Sequence, residues 1–319
     1  MDMLSILHRT REDLLHRPNV VGCGVGWKQR KGHVTREPAL CVYVERKLPP
    51  EQLSAKALVP SRIGPAVTDV IEVGRMRTMS LRTRRLRPAP GGVSIGHYRV
   101  TAGTLGAAVQ DRKTGEWLAL SNNHVLANGT DGRDGRAQVG DPILQPGSHD
   151  GGDVERDRFG RLARFIPLQR RAGRSPFWPC LLTRWSGRSE PAAVNRVDAA
   201  LARPEDRSYL SPEIMGVGRV EGIAAAEPGM RVVKSGRTTG VTHGEIQSIH
   251  VTMMVYLNDV EPVWFEEQIL TTPMVEGGDS GALLVSDQRA VGLVFAGSDR
   301  ASLANPIELV LDALDVDLV

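Results

Sequence analysis

Aromatic residues make up only 4% of this 319-residue chain, cysteine occurs three times, and no apolar run approaches the eighteen or so residues of a membrane span. Each scarcity closes off a class of function. Arginines with so few aromatics between them do not build a stacking platform for single-stranded nucleic acid, and a formal charge of +3 is small for this length, so nucleic acid is not an expected partner. Cys23, Cys41 and Cys180 show no metal-ligand spacing and are read as buried thiols, with a Cys23 to Cys41 bridge left open. The opening "MDMLSILHRTREDLLH" lacks the uninterrupted apolar core of a signal peptide, which leads us to expect a soluble cytoplasmic protein without a membrane partner. His97, His149, His243 and His250 share no ligand spacing, HExxH is missing, and "GRTTG" lacks the Walker pattern. No metal or other cofactor is expected.

What the chain does have is 41% hydrophobic residues, thirty-four glycines and twenty prolines. That is enough apolar mass for real cores, in a turn-rich and mainly β architecture. Leu4, Leu7, Leu14 and Leu15 recur near one face of a short amphipathic helix over 3–15. "NVVGCGVGWKQ", "ALCVYVERK" and "VTDVIEVGRM" then read as strands, giving a small α/β N-terminal domain over 1–74. Residues 75–90 hold six arginines followed by "PAPGG" and are read as a linker, a solvated connector or else a phosphate-binding arm or processing site. The remaining domain, 91–319, is dense in short strands. An Arg-rich insertion is expected near 150–190, and a terminal helix carries Ile307, Val310, Leu311 and Leu314 at helical spacing.

Chemistry concentrates in three separated places. "VEGGDSGALLV" sets Ser280 between glycines, where the amides of Gly278 and Ser280 can face one oxyanion and Gly281 can leave room for substrate. Alone, such a string is as readily a β-turn. A serine hydroxyl needs a base to take its proton, and "LALSNNHVLA" places His124 at the end of an apolar strand. "NRVDAALA" places Asp198 at the head of an apolar run, and a buried carboxylate there needs a donor such as imidazole N–H.

With these motifs in the order His, Asp, Ser, residues 100–312 resemble the chymotrypsin-like serine peptidases, and in particular the disulfide-free bacterial trypsin-like, Deg/HtrA-type branch. "GRTTGVTHGEI" and "AVGLVFAGS" with its closing helix extend the likeness. The resemblance implies two six-stranded antiparallel β-barrels with the site between them. It assigns His124 as general base, Asp198 as its orienter, Ser280 as nucleophile, and Gly278, Asp279 and Ser280 to the oxyanion hole. It also places Met274 at the base of the specificity pocket, with Phe295, Ala296 and Gly297 along its wall, so that a small or apolar side chain of a polypeptide substrate is favoured. A loop shift bringing Asp299 or Glu276 into the pocket is the alternative.

Departures from the family pattern matter equally. Val125 stands where secreted members carry a half-cystine, and "VVGC" lies about a hundred residues before His124, too far to act as a liberated N-terminus. Asp279 must therefore find another partner. The expected activity is serine endopeptidase hydrolysis, regulated through the N-terminal domain. The competing function is a catalytically silent binding or scaffold protein on the same fold.

Overall fold

The computed structural model describes residues 2–30, 33–74, 80–170, 194–257 and 261–319. The chain divides into two compact units, Met1–Met79 and Ser80–Val319.

In the first unit, Asp2 caps the helix Met3–Leu15 by accepting from the Leu4 amide. The helix buries Ile6, Leu7 and Leu14, while Leu4 and Leu15 are about half exposed. Its inward face is thus rotated from the leucine row read in the sequence, with Ile6 and Leu7 packed against Leu40 and Ala66 and Leu4 left outside that cluster. The helix packs on a four-stranded sheet in which Val20–Arg30 lies at one edge beside His33–Val44. His33–Val44 pairs in parallel with Ala66–Glu72, which carries the short strand Arg62–Ile63 at the other edge. Cys23 and Cys41 are both free thiols, and burial raises the pKa of each. Cys180 lies outside the described residues.

The second unit is built from two antiparallel barrels, as expected. In the first, Gly103–Thr104 continues through Leu105 and Gly106 into Ala107–Asp111, one bent strand that pairs with Ser94–His97 at one end and Trp117–Ser121 at the other. Trp117–Ser121 pairs with Ala200–Pro204, that strand with Arg158–Phe165, then Pro142–Leu144, and finally Ser94–His97 again, closing a ring of six strands. The second ring runs Arg231–Gly236, Gly240–Leu257, Glu261–Thr271, Ser302–Pro306, Arg289–Gly297 and Leu283–Ser286 before returning to its start. Apolar residues of both barrels, including Leu120, Leu201, Leu283 and Leu293, share a core with Ile307, Val310, Leu311 and Leu314 of the closing helix Ile307–Leu314. The tail strand Val316–Leu318 then pairs back onto Ala107–Asp111.

Two segments differ from the sequence reading. Residues 80–90 are part of the second unit: Arg82 is hydrogen-bonded to Gly92 O, Ser235 Oγ and Met215 O, and Ala89–Gly91 is a strand paired with Leu210–Ile214. Arg82 and Arg87 bind backbone carbonyls of the second unit, while Arg84 and Arg85 are exposed. Arg158–Phe165, placed in the expected insertion, is an integral barrel strand: Phe159 and Leu162 are buried in the core, Arg161 is exposed, and Arg158 and Arg164 are partly exposed. Of the expected insertion near 150–190, the part from 171 onward lies outside the described residues.

Candidate active site

Three elements converge on one cavity of about 760 Å³ that His124 and Ser280 both line. His124 sits in the single turn Asn123–Leu126, directly after the barrel strand Trp117–Ser121. The two preceding asparagines, missed in the sequence reading, fix that turn. Fully buried Asn122 donates to Asp198 O (2.7 Å), and fully buried Asn123 donates to Thr130 O (3.0 Å) and Ile166 O (2.6 Å). Two consecutive amides before a histidine are the signal that could have revealed them.

Asp198 has no solvent exposure. Its Oδ2 lies 2.5 Å from His124 Nδ1 and its Oδ1 accepts from the His124 amide at 3.2 Å. The carboxylate thereby holds the proton on Nδ1 and leaves Nε2 as the acceptor. Behind it, the Asp198 amide donates to Asn305 Oδ1 (3.0 Å), Asn305 Nδ2 donates to Gln268 Oε1 (2.5 Å), and Gln268 Nε2 donates to Arg196 O (2.8 Å). Both polar side chains are fully buried in the second barrel, so the aspartate-bearing segment is anchored across the barrel interface.

Ser280 follows the tight turn Gly278-Asp279, with Gly278 at φ 99° and Gly281 at φ 95°. Its carbonyl accepts from Thr104 N (2.8 Å), and its Oγ donates to Phe295 O at 3.3 Å. The serine hydroxyl is therefore turned to a backbone carbonyl and not to the imidazole. Gly281 is required for barrel contact, since a Cβ there would collide with Ser121 Oγ and the Thr104 carbonyl. The glycine admits a neighbouring strand, where the sequence reading gave it to substrate.

Asp279 does not belong among the oxyanion donors, because its amide is already committed to Glu276 O at 3.0 Å. Among the described residues, the amides of Gly278 and Ser280 have no such acceptor. The Asp279 side chain instead organises the turn. Oδ1 accepts from the amides of Thr238 (2.8 Å) and Thr239 (3.1 Å), and Oδ2 from Thr239 Oγ1 (2.6 Å), Glu276 N (3.1 Å) and Lys234 Nζ (3.0 Å). Burial pushes its pKa up, but the Thr239 hydroxyl, the Lys234 ammonium and the Glu276 and Thr239 amides together leave it below the ordinary carboxylate value. Burial lowers Lys234, with Asp279 opposing.

Met274 is 5% exposed and lies in the core of the second barrel with Val232, Ile246 and Leu284; it is not on the cavity wall. Its place in the chain was read correctly as six before Ser280, but its side chain points inward. Phe295, Ala296 and Gly297 do line the cavity, whereas Glu276 and Asp299 do not. A Cβ on Gly297 would meet Val275, which packs against that glycine.

Two closed antiparallel barrels, with a histidine–aspartate pair and a glycine-flanked serine on one cavity, define a chymotrypsin-like peptidase fold. The family model described as the NARROW LEAF 1 N-terminal domain matches residues 1–71. No curated protein matches the chain. Solved structures similar to the chain include several proteases. Nocardiopsis protease is 19% identical with a TM-score of 0.49, over 72% of this chain and 97% of that one. Thermobifida fusca protease A is also 19% identical, with a TM-score of 0.48 over 72% and 97%. A glutamic acid-specific serine protease is 22% identical, with a TM-score of 0.48 over 72% and 100%.

Proposed function

We propose that the chain is a serine endopeptidase that acylates Ser280. The observation carrying this reading is the 2.5 Å contact between His124 Nδ1 and the fully buried Asp198 carboxylate, on the cavity that Ser280 shares. Rotation of the Ser280 hydroxyl away from Phe295 O delivers its proton to His124 Nε2 as Oγ attacks the substrate carbonyl. The Gly278 and Ser280 amides receive the charge on the carbonyl oxygen. The imidazolium, stabilised by Asp198, returns the proton to the leaving amine, and a water activated by the same imidazole cleaves the acyl-enzyme. Polypeptide is the substrate. The free thiols Cys23 and Cys41 and the Val125 neighbour of His124 support the disulfide-free, Deg/HtrA-type branch and a reducing cytoplasmic setting. Among the described residues, no helix is long and apolar enough to cross a membrane. The N-terminal unit, which the minimal two-barrel fold does not need, is read as regulatory.

One observation favours the catalytically silent alternative: Ser280 Oγ donates to Phe295 O. Labelling with a fluorophosphonate probe separates the two readings. A peptidase reacts at Ser280, loses the adduct in Ser280→Ala and nearly so in His124→Ala, and cleaves casein; a silent protein shows neither adduct nor cleavage.

A further inference from the structure

Thr104 has no solvent exposure and stands on the first-barrel strand Gly103–Thr104, yet its polar atoms serve the serine turn of the second barrel. Its amide donates to Ser280 O at 2.8 Å, and its hydroxyl donates to Gly278 O at 2.8 Å. Both carbonyls lie in the segment that carries the nucleophile. The hydroxyl oxygen also accepts from the Arg237 amide at 2.9 Å, and the Thr104 carbonyl accepts from Ser121 Oγ at 2.7 Å. Ser121 ends the strand that leads directly into the His124 turn. One buried threonine is thus tied to the approaches of both the base and the nucleophile.

Arg237, in the second barrel, is clamped from the first. Its Nε and Nη2 donate to Asp150 Oδ2 at 2.7 Å and Oδ1 at 2.5 Å, a bidentate pair whose side chains are only 11% and 5% exposed. Asp150 belongs to the single turn Ser148–Asp150, between the first-barrel strands Pro142–Leu144 and Arg158–Phe165. The remaining Nη1 donates to Thr238 Oγ1 at 3.1 Å, and Thr238 Oγ1 donates to Gly277 O at 2.8 Å. In a planar trans peptide the N–H points opposite the C=O, so holding Gly277 O toward Thr238 directs the Gly278 N–H away from it. The same two groups fill the space beside Gly278, where a Cβ would meet Thr238 Oγ1 at 2.5 Å and Arg237 Nη1 at 2.7 Å.

The structure assigns Thr104 and the Asp150–Arg237 pair as positioning residues: they join the two barrels at Gly278 and hold its amide, with that of Ser280, for the carbonyl oxygen of the substrate. The assignment deepens the peptidase reading and rests on it for the reaction served. Donors fixed in advance need no reorganisation in the transition state, and a misplacement of about 1 Å costs on the order of 10²-fold in rate.

The test is Thr104→Val in the full-length protein, which keeps the shape of the side chain and removes the hydroxyl. The expected result on a cleaved peptide is a fall in kcat of about 10²-fold, with KM changed by less than about threefold. Thr104→Ser should restore most of the rate. Asp150→Asn, which breaks the charge pair, should lower kcat about tenfold, and the double variant should fall no further than Thr104→Val alone because both act on one turn. Leu311→Ala, in the closing helix and off the cavity wall, should lower the melting temperature without changing kcat, and so shows what lost stability alone does. Crystal structures of the unsubstituted and Thr104→Val proteins compare residues 277–280 without turnover, and the turn is expected to move away from Thr104. Unchanged kcat in folded Thr104→Val, no rescue by serine, losses that multiply in the double variant, or a turn that stays in place overturns the inference. Fluorophosphonate labelling of the unsubstituted protein reports the peptidase reading separately: absence of an adduct removes that reading, while the position of the turn in Thr104→Val still decides the positioning.

Discussion

Lys234 Nζ and Asp279 Oδ2 lie 3.0 Å apart, and neither side chain has any solvent exposure. The carboxylate beside the nucleophile is thus neutralised from within the same barrel, by a strand residue that also donates to Thr239 Oγ1 and Gly240 O. No freed N-terminus is needed to form this pair. Removing one partner leaves the other charge buried, so Lys234→Ala is expected to destabilise the second unit by about 3–5 kcal/mol. It is also expected to abolish fluorophosphonate labelling, because the Gly278 to Ser280 turn is held through Asp279. Chemical denaturation beside a labelling time course checks both. Unchanged stability would show that the pair contributes nothing.

Acid should act through the same carboxylate. Asp279 is held below its ordinary pKa of 3.8 against the effect of burial by the Thr239 hydroxyl, Lys234 and the Glu276 and Thr239 amides together. Asp150 is held low against the effect of burial by Arg237, at 2.5 Å, together with Ser94 and His149. A depressed folded pKa gives stability that is complete above the unfolded value and lost as pH falls through the folded one. Stability is therefore expected to be level with respect to these groups above about pH 5 and to fall below about pH 4. In Asp279→Asn, the acid slope should be shallower and the starting stability lower. Denaturation midpoints between pH 2 and pH 7 give the comparison.

Periodicity made some elements legible and concealed others. The closing helix was readable because Ile307, Val310, Leu311 and Leu314 meet a single core, and these four are the residues it buries. The first helix was readable as a helix but not in its facing, since two leucines at its ends stay in water while Ile6 goes inside. Arg158–Phe165 looked like a charged insertion because Arg158, Arg161 and Arg164 stand around the two large apolar residues, Phe159 and Leu162, that the strand buries in the core. At the site, motif spacing located His124, Asp198 and Ser280, and the first two are directly bonded. Spacing could not give direction, so Met274 was assigned to a pocket from which it points away. Lys234, Asn305 and Gln268 carried no local signal, because the bonds that tie Lys234 to Asp279, Asn305 to Gln268 and Asn305 to Asp198 span 37 to 107 residues.

Asp198 and Asn305 separate orientation from stability. Asp198→Asn removes the acceptor that keeps the proton on His124 Nδ1, and a fall in kcat on the order of 10⁴-fold with KM little changed is expected. Asn305→Leu leaves the buried Asp198 amide without its acceptor, costing about 1–3 kcal/mol. It lets the aspartate-bearing segment drift, so kcat should fall by a smaller factor. Combining Asp198→Asn with Ser280→Ala should lower turnover no further than Ser280→Ala alone. Steady-state kinetics on a cleaved peptide, with thermal melts of each variant, test these expectations.

Arg82 is expected to act as a positioning residue. Its guanidinium bonds Ser235 Oγ at 2.6 Å and Met215 O at 3.2 Å, and it packs on Gly240. Ser235 and Gly240 flank the turn whose Thr238 and Thr239 hold Asp279. Arg82→Ala should lower kcat about tenfold or more through misplacement of the Ser280 turn, with a lesser change in KM. Arg82→Lys should not restore it, since one ammonium cannot reproduce the guanidinium fork. Equal loss of kcat and stability in every variant, or full rescue by lysine, would reduce Arg82 to a packing role.

Gly281 tests whether the serine turn is held by the opposite barrel. A methyl group at this position would collide with Ser121 Oγ and the Thr104 carbonyl, both on first-barrel strands, and would sit on a backbone at φ 95°. Strain and overpacking together should make Gly281→Ala cost about 3 kcal/mol or more. Gly277 is only four residues away, with open space where its Cβ would be and no positive φ, so Gly277→Ala should be nearly neutral for stability. Because Thr104 N also donates to Ser280 O, any movement that accommodates the methyl must pull the nucleophile away from the first barrel and therefore from His124. Gly281→Ala should accordingly lose labelling even under conditions where it remains folded by circular dichroism. Labelling at the unsubstituted rate in folded Gly281→Ala would mean that the two barrels do not jointly set the position of the serine.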